Sequence, residues 1–192
     1  MLQHLQKYNV ILASKSPRRQ ELLHGMGVHF ECLTKETPEY YPEMPLKNVA
    51  GYLSRHKSMA FSDEELPDNF LLITADTVVI AGNEILGKPA DRADALRMLQ
   101  MLSGQTHVVV TGVTLRSKTQ TKTFSASSSV SFVTLDPDEM SYYVDHYRPF
   151  DKAGAYGIQE WIGYIGISSL RGSFYNVMGL PTQRLYQALK NY

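Results

Sequence analysis

Cysteine is almost missing from this chain, with one residue, Cys32, in 192. A lone cysteine excludes an intrachain disulfide framework and a cysteine-based zinc site, so a reduced, cytoplasmic setting is the default expectation. Cys32 itself reads as a small buried or half-buried residue rather than a nucleophile. Net charge is missing as well. With 19 basic against 19 acidic side chains, no global field attracts nucleic acid or a membrane surface, and any anion site has to be local. No apolar run has membrane-spanning length, and no basic segment followed by an apolar stretch marks a secretion leader. Neither G-x-x-x-x-G-K-[ST] nor G-x-G-x-x-G occurs between a strand and a helix, which leaves a P-loop or a dinucleotide fold unsupported. The six histidines show no H-E-x-x-H or other paired ligand spacing and read as surface or core residues.

What is present suits one domain over residues 1–192, or a domain with a lobe, with enough apolar content for a real core. The stretch Tyr8 to Leu23 reads as strand, tight loop and helix. An apolar run, Val10 to Ala13, is cut off by Ser14-Lys15-Ser16, and an apolar-periodic segment starts at Pro17. Ser16 suits an N-cap, Pro17 a first helical residue, and Gly25 or Gly27 the helix end. Arg18 and Arg19 fall in the first turn, where the helix dipole disfavours cations by about 0.3–1 kcal/mol. A bound anion relieves that conflict: free amides, the Ser14 and Ser16 hydroxyls and two guanidiniums suit a phosphate. An ordinary solvated helix start is the plainer reading.

Farther on, Val28 to Leu33 reads as a second strand. Thr34 to Pro45 is a polar, proline-punctuated loop holding Glu36, Glu39 and Glu43. Leu46 to Phe61 has helical spacing, and Lys57 falls on its apolar stripe. That lysine either snorkels past the edge of the core or aims its ammonium into a cleft beside it. Phe70 to Ile80 reads as a central strand, or two strands meeting at a bend, with Asp76 in its middle; this aspartate needs a cation, a metal or several donors if it is buried, unless it caps a strand end or fixes a turn. Asp91 caps a helix through Leu102. Val108 to Leu115 and Lys122 to Val133 form an antiparallel hairpin, and Asp136-Pro137 starts a helix to about Tyr147. Asp151 to Gln159 is rich in glycine and alanine, which lets backbone approach a ligand closely. Trp161 to Ile167 reads as a strand, Arg171 to Gly179 as a loop, and Pro181 to Asn191 as a closing helix. The order of elements is mixed α/β. Arg18, Lys57 and Lys88 against Asp76 and the Glu36/Glu39 loop suit a polyphosphate with Mg²⁺ or Mn²⁺ and hence metal-assisted phosphoanhydride cleavage, provided they converge.

Five segments in order, LASKSPRRQELL (12–23), ITADTVV (73–79), GKP (87–89), DKAGAYGIQ (151–159) and GSFYNVMGLP (172–181), resemble the Maf family of nucleotide pyrophosphatases over nearly the whole chain. The resemblance implies an elongated α/β fold, a mixed sheet with flanking helices and two lobes around a deep cleft, related to house-cleaning nucleoside triphosphate pyrophosphatases. It also implies hydrolysis of a nucleoside triphosphate to monophosphate and pyrophosphate with a divalent metal, in a homodimer, with no stable nucleic-acid or membrane partner. Residue by residue, it puts the phosphate-binding arginine on Arg18 beside Ser14 and Ser16, the catalytic carboxylate on Asp76, and the motif lysines on Lys57 and Lys88. Arg19 reads as structural.

The metal-holding glutamate matches Glu39, with Glu36 a close competitor, and Asp76 would share the metal. Arg18, Thr77 and Gln159 are similar to the marks of the dTTP/UTP branch, with CTP or modified pyrimidine triphosphates as further substrates and cell-division arrest as a possible role. The Gln159 amide can accept from N3–H of uracil or thymine while donating to a neighbouring carbonyl. The rival expectation is a non-catalytic nucleotide-binding regulator of septum formation.

Overall fold

In the computed structural model, which describes residues 2–192, the chain runs β1 (Asn9–Leu12), α1 (Pro17–Gly25), β2 (Glu31–Cys32), α2 (Leu46–Met59), β3 (Phe70–Ala81) and β4 (Glu84–Leu86). It continues through α3 (Arg92–Leu102), β5 (Thr106–Arg116), β6 (Thr121–Phe132), α4 (Pro137–Tyr147), α5 (Trp161–Gly166), β7 (Ile167–Arg171), α6 (Phe174–Met178) and α7 (Thr182–Lys190). The strands make one mixed sheet in the order β2-β1-β3-β5-β6-β7, with β4 paired to β3. β1 is parallel to β2 and β3, while β4 and β7 run antiparallel to β3 and β6. No helix among the described residues is long and apolar enough to cross a membrane.

The chain divides into two compact units. One holds the chain up to Asp76, Thr111–Ala126 and Gly179–Tyr192; the other holds Thr77–Val110 and Ser127–Met178. β3, β5 and β6 therefore each begin in one unit and end in the other.

In the first unit, Ile11, Phe61, Leu66, Phe70 and Leu72 cluster as buried core. Helix α2 lies directly on sheet backbone. A Cβ added to Gly112 on β5 would sit 2.3 Å from the Ala50 carbonyl carbon and oxygen and 2.4 Å from the Gly51 nitrogen. Only glycine on the strand lets the helix come this close. Polar groups fix its register. The Thr74 hydroxyl donates to the Ser54 carbonyl at 2.7 Å, and the Ser54 and Thr114 hydroxyls are bonded at 3.0 Å. Buried Arg116 donates to the carbonyls of Ser58 and Phe61, both at 2.8 Å. A guanidinium at the C-terminal end of α2 adds donors to the carbonyls there and complements the helix dipole.

In the second unit, α3, α4 and α5 bury Leu99, Leu102, Tyr143 and Ile162 with Val79, Val130 and Phe132 from the strands. Within this core His107, 1% exposed, is bonded to the Tyr156 hydroxyl at 2.7 Å and lies edge-on to its ring. Burial pushes His107 down to about 4.

Several local readings match. α1 ends at Gly25 with Gly27 at φ +72°, the left-handed conformation expected of a C-terminal glycine. The Asp91 carboxylate accepts from the Asp94 amide at 2.9 Å, and the Asp136 amide donates to Glu139 at 2.9 Å.

Others are corrected. Val28 to Leu33 yields only the two-residue strand Glu31–Cys32, and Cys32 is exposed on it, not buried. Trp161 to Ile167, expected as a strand, forms α5 and only then enters β7. The loop expected from Arg171 to Gly179 contains α6. A short apolar run fits either element by pattern, and here Gly163 decides: its absent side chain leaves room for the Ile158 carbonyl, which a Cβ would meet at 1.8 Å.

Two outcomes follow from this packing. Gly112→Ala forces α2 off the sheet, so the variant should lose about 1–3 kcal/mol, read as a Tm lower by roughly 3–10 °C; an unshifted Tm refutes the close approach. His107 stays neutral in the fold while the unfolded chain protonates near its ordinary value of 6.5. Stability should therefore fall as pH drops from about 6.5 towards 4 and this contribution should level off below. In melts across that window, a His107→Leu/Tyr156→Phe double variant should show a shallower decline than the parent chain.

Candidate active site

The first unit gathers its charged residues where β1, α1, α2 and β3 end or bend. β1 stops when the Ala13 amide bonds to the Ile73 carbonyl at 2.9 Å and the Ser14 amide turns back to Leu12. Ser14 is buried, and its hydroxyl accepts from the Ser16 amide at 3.2 Å. Ser16 takes the N-cap position with extended backbone but makes no side-chain capping bond. Its expected capping role is corrected accordingly: Ser14, and not Ser16, organises the loop through its side chain.

Asp76, 8% exposed, interrupts the apolar run of β3. The Lys57 ammonium lies 2.8 Å from its Oδ2 and 3.1 Å from Glu39 Oε1. Of the two readings of Lys57, the structure therefore gives the aimed ammonium. Glu39 reaches this point from the long loop, whereas Glu36 pairs with Lys15 at 3.3 Å on the surface. Two carboxylates around one ammonium form a compact group whose charge a buried aspartate requires.

Arg19, which the sequence reads as structural, is tied to the backbone of its own unit. Its Nε donates to the Gly179 carbonyl at 2.8 Å. Burial pulls its pKa down from the ordinary guanidinium value. Asp76 and Glu39 raise it and Arg18 lowers it, so Arg19 lies within electrostatic reach of all three. Arg-Arg at a helix start signalled an anion site, but nothing in the spacing told the two arginines apart. Arg18 is half-buried on the same first turn.

The second unit holds Thr77, Lys88 and Gln159. Half-buried Thr77 follows Asp76 on β3, and exposed Lys88 lies in the loop after β4. That loop touches the glycine-rich segment: the Gly154 amide donates to the Gly87 carbonyl at 3.0 Å. Gly154 (φ +70°) and Ala155 (φ +57°) take left-handed backbone, and a Cβ on Gly154 would meet Val79 at 3.0 Å. Half-buried Gln159 ends this segment, and its Oε1 is buried without a hydrogen-bond partner among the described residues. A buried amide oxygen left so costs about 1–3 kcal/mol, which a ligand donor would recover. Sequence reasoning missed the charged cluster beside it, Lys152, Asp151 and Glu160.

Donor chemistry also bears on a metal. No group of three or more His, Cys, Asp or Glu that could hold an ion occurs among the described residues. Asp76 and Glu39 supply hard oxygens that already converge on one cation. Mg²⁺ is commonly held by one or two carboxylates together with substrate phosphates and water, so this pair fits such an ion.

A search of known proteins gives the relatives. A family model described as Maf-like protein matches residues 9–192. A dTTP/UTP pyrophosphatase of Porphyromonas gingivalis is 52% identical over 197 residues, covering 100% of this chain and 98% of that protein. Proteins of the same name are 50% identical in Bacteroides thetaiotaomicron and 48% in Bacteroides fragilis, each over 192 residues covering 99% of both chains. The family model and these full-length identities agree with the five motifs: the chain belongs to the Maf family.

Proposed function

We propose that this chain is a nucleoside triphosphate pyrophosphatase that hydrolyses dTTP and UTP to the monophosphate and pyrophosphate. The observation that carries the reading is Lys57 held between Asp76 and Glu39 at 2.8 and 3.1 Å, within reach of Arg19. Names printed for relatives near 50% identity over their full length support the same substrates.

In this reading water attacks the α-phosphorus. A new P–O bond forms, the bond from the α-phosphorus to the bridging oxygen breaks, and pyrophosphate leaves with the electron pair. Asp76 orients the water and takes its proton. Arg18 binds phosphate with Ser14 and Ser16 at the start of α1, where the helix dipole favours an anion. Lys57 and Lys88 offset charge that grows on the phosphate oxygens, a kind of contribution worth about 10²–10³ in rate per well-placed group. Arg19 adds a fixed positive charge beside Asp76. Asp76 and Glu39 would hold Mg²⁺ or Mn²⁺, which supplies neutralising charge and a more acidic water when bound. Gln159 reads the pyrimidine edge with its buried, unpartnered Oε1, and Thr77 belongs to the same branch-marking set.

CTP or modified pyrimidine triphosphates are further candidate substrates. The same reading makes the protein a cytoplasmic homodimer that cleanses nucleotide pools, with a possible role in cell-division arrest. It binds no nucleic acid stably, consistent with a balance of 19 basic and 19 acidic residues.

The test is pyrophosphate release from dTTP, UTP, CTP and GTP with Mg²⁺ or Mn²⁺. Release is expected to be fastest from dTTP and UTP, and Asp76→Asn should remove nearly all of it with an unchanged melting profile. No release from any triphosphate would return the chain to a non-catalytic regulator. Near-normal turnover in a folded Asp76→Asn would overturn the role of that carboxylate.

A further inference from the structure

The second unit contains a buried charged network that the proposed chemistry does not use. Lys152, 8% exposed, places its ammonium 2.7 Å from Asp151 Oδ1 and 3.1 Å from Glu160 Oε1. The other Glu160 oxygen accepts a hydrogen bond from the hydroxyl of Tyr143, a fully buried residue of α4. That hydroxyl in turn accepts from the Gly157 amide at 2.9 Å. Burial first, and Glu160 second, raise the Tyr143 pKa far above its ordinary value, so Tyr143 keeps its proton and donates. Every member is matched to a partner of opposite character, the condition under which a buried polar network makes a segment rigid.

The network closes around one short turn. The Glu160 amide donates to the Gly157 carbonyl at 3.0 Å, and the Gly163 amide donates to the Glu160 carbonyl at 2.8 Å. A Cβ on Gly157 would meet Glu160 Cδ at 2.8 Å and Lys152 Cε at 3.1 Å, so the ion pair lies flat against the backbone. Gln159 sits inside this turn, with Gly157 and Glu160 both held by Tyr143. Burying a lysine carries a desolvation cost that an apolar side chain would not. Stability alone is a poor reason for charges here. A fixed direction for the neighbouring amide is a better one.

We propose that Tyr143, Glu160 and Lys152 are positioning residues that hold the Gln159 amide in the orientation that discriminates pyrimidine from purine bases. This rests on the reading of Gln159 as the base-reading residue. The Tyr143 hydroxyl is the hub, since it bonds both the carboxylate and the backbone of the turn.

The experiment measures kcat and KM for dTTP, UTP and GTP in Tyr143→Phe, Glu160→Gln and Gln159→Ala, with thermal melts of each. Tyr143→Phe keeps the packed ring and Glu160→Gln keeps the shape of the carboxyl, so either can report if the other fails to fold. Both should lower the dTTP to GTP ratio of kcat/KM about tenfold, mainly through a higher KM for the pyrimidines. Gln159→Ala should move the ratio the same way, and adding Tyr143→Phe to it should change the ratio no further.

If Gln159→Ala shifts the ratio while Tyr143→Phe and Glu160→Gln leave it alone, the network does not position Gln159 and this inference falls, though the base-reading role survives. If Gln159→Ala also leaves the ratio unchanged, the base-reading role falls with it. An equal loss for all three substrates together with a lower Tm would make the network merely structural and overturn the inference as well.

Discussion

A carboxylate inside an apolar strand is the constraint on which the rest of the first unit depends. Asp76 is 8% exposed, and a charge so placed is tolerated only if an opposite charge is held against it in a fixed geometry. Lys57 provides that charge at 2.8 Å, and this requires α2 to stand at one height and one distance from β3. The bare backbone of Gly112 sets the distance. The bonds from Thr74 and Thr114 to Ser54 set the height, and Arg116 closes the end of the helix one residue beyond Lys57. A single buried charge thus accounts for features spread over α2, β3 and β5.

The second unit solves a related problem with different means. Its glycine-rich segment has few side chains to pack, so its shape comes from backbone in left-handed conformations at Gly154 and Ala155 and from buried polar groups behind it. Lys152, Glu160 and Tyr143 are linked to one another, while Gln159 keeps one buried amide oxygen without a partner among the described residues. Satisfied polar groups beside an unsatisfied one are the arrangement expected where a ligand supplies the last hydrogen bond.

Much of this was legible in the chain because it is local. Pro17, Gly27, Asp91 and Asp136 act through bonds within a few residues, so their roles at helix ends could be read directly. The approximate extents of β3, β5 and β6, and the alternation of β6, were legible for the same reason. The WIGYIG run was misread because strand and helix differ there only through the contact of Gly163 with the Ile158 carbonyl. Cys32 was misread because exposure depends on whether anything covers the edge strand β2, which composition does not record. Arg18 and Arg19 were told apart by the family resemblance and not by local pattern, since a helix turns neighbouring residues in different directions and only the fold shows Arg19 meeting the Gly179 carbonyl within electrostatic reach of Asp76 and Glu39.

By itself the sequence determined the mixed α/β class, the starts of α1, α3 and α4, the family through its five ordered motifs, and the residue types that polyphosphate chemistry requires. Tertiary structure alone decided that Glu39 rather than Glu36 approaches Lys57, that Ser14 rather than Ser16 ties the loop, and that Lys152 is a buried ion rather than a surface one. The physical reason is the range of the forces. Capping, turn chemistry and periodicity act over a few residues and leave a pattern along the chain. Desolvation and ion pairing act between residues tens of positions apart and exist only once the chain has folded.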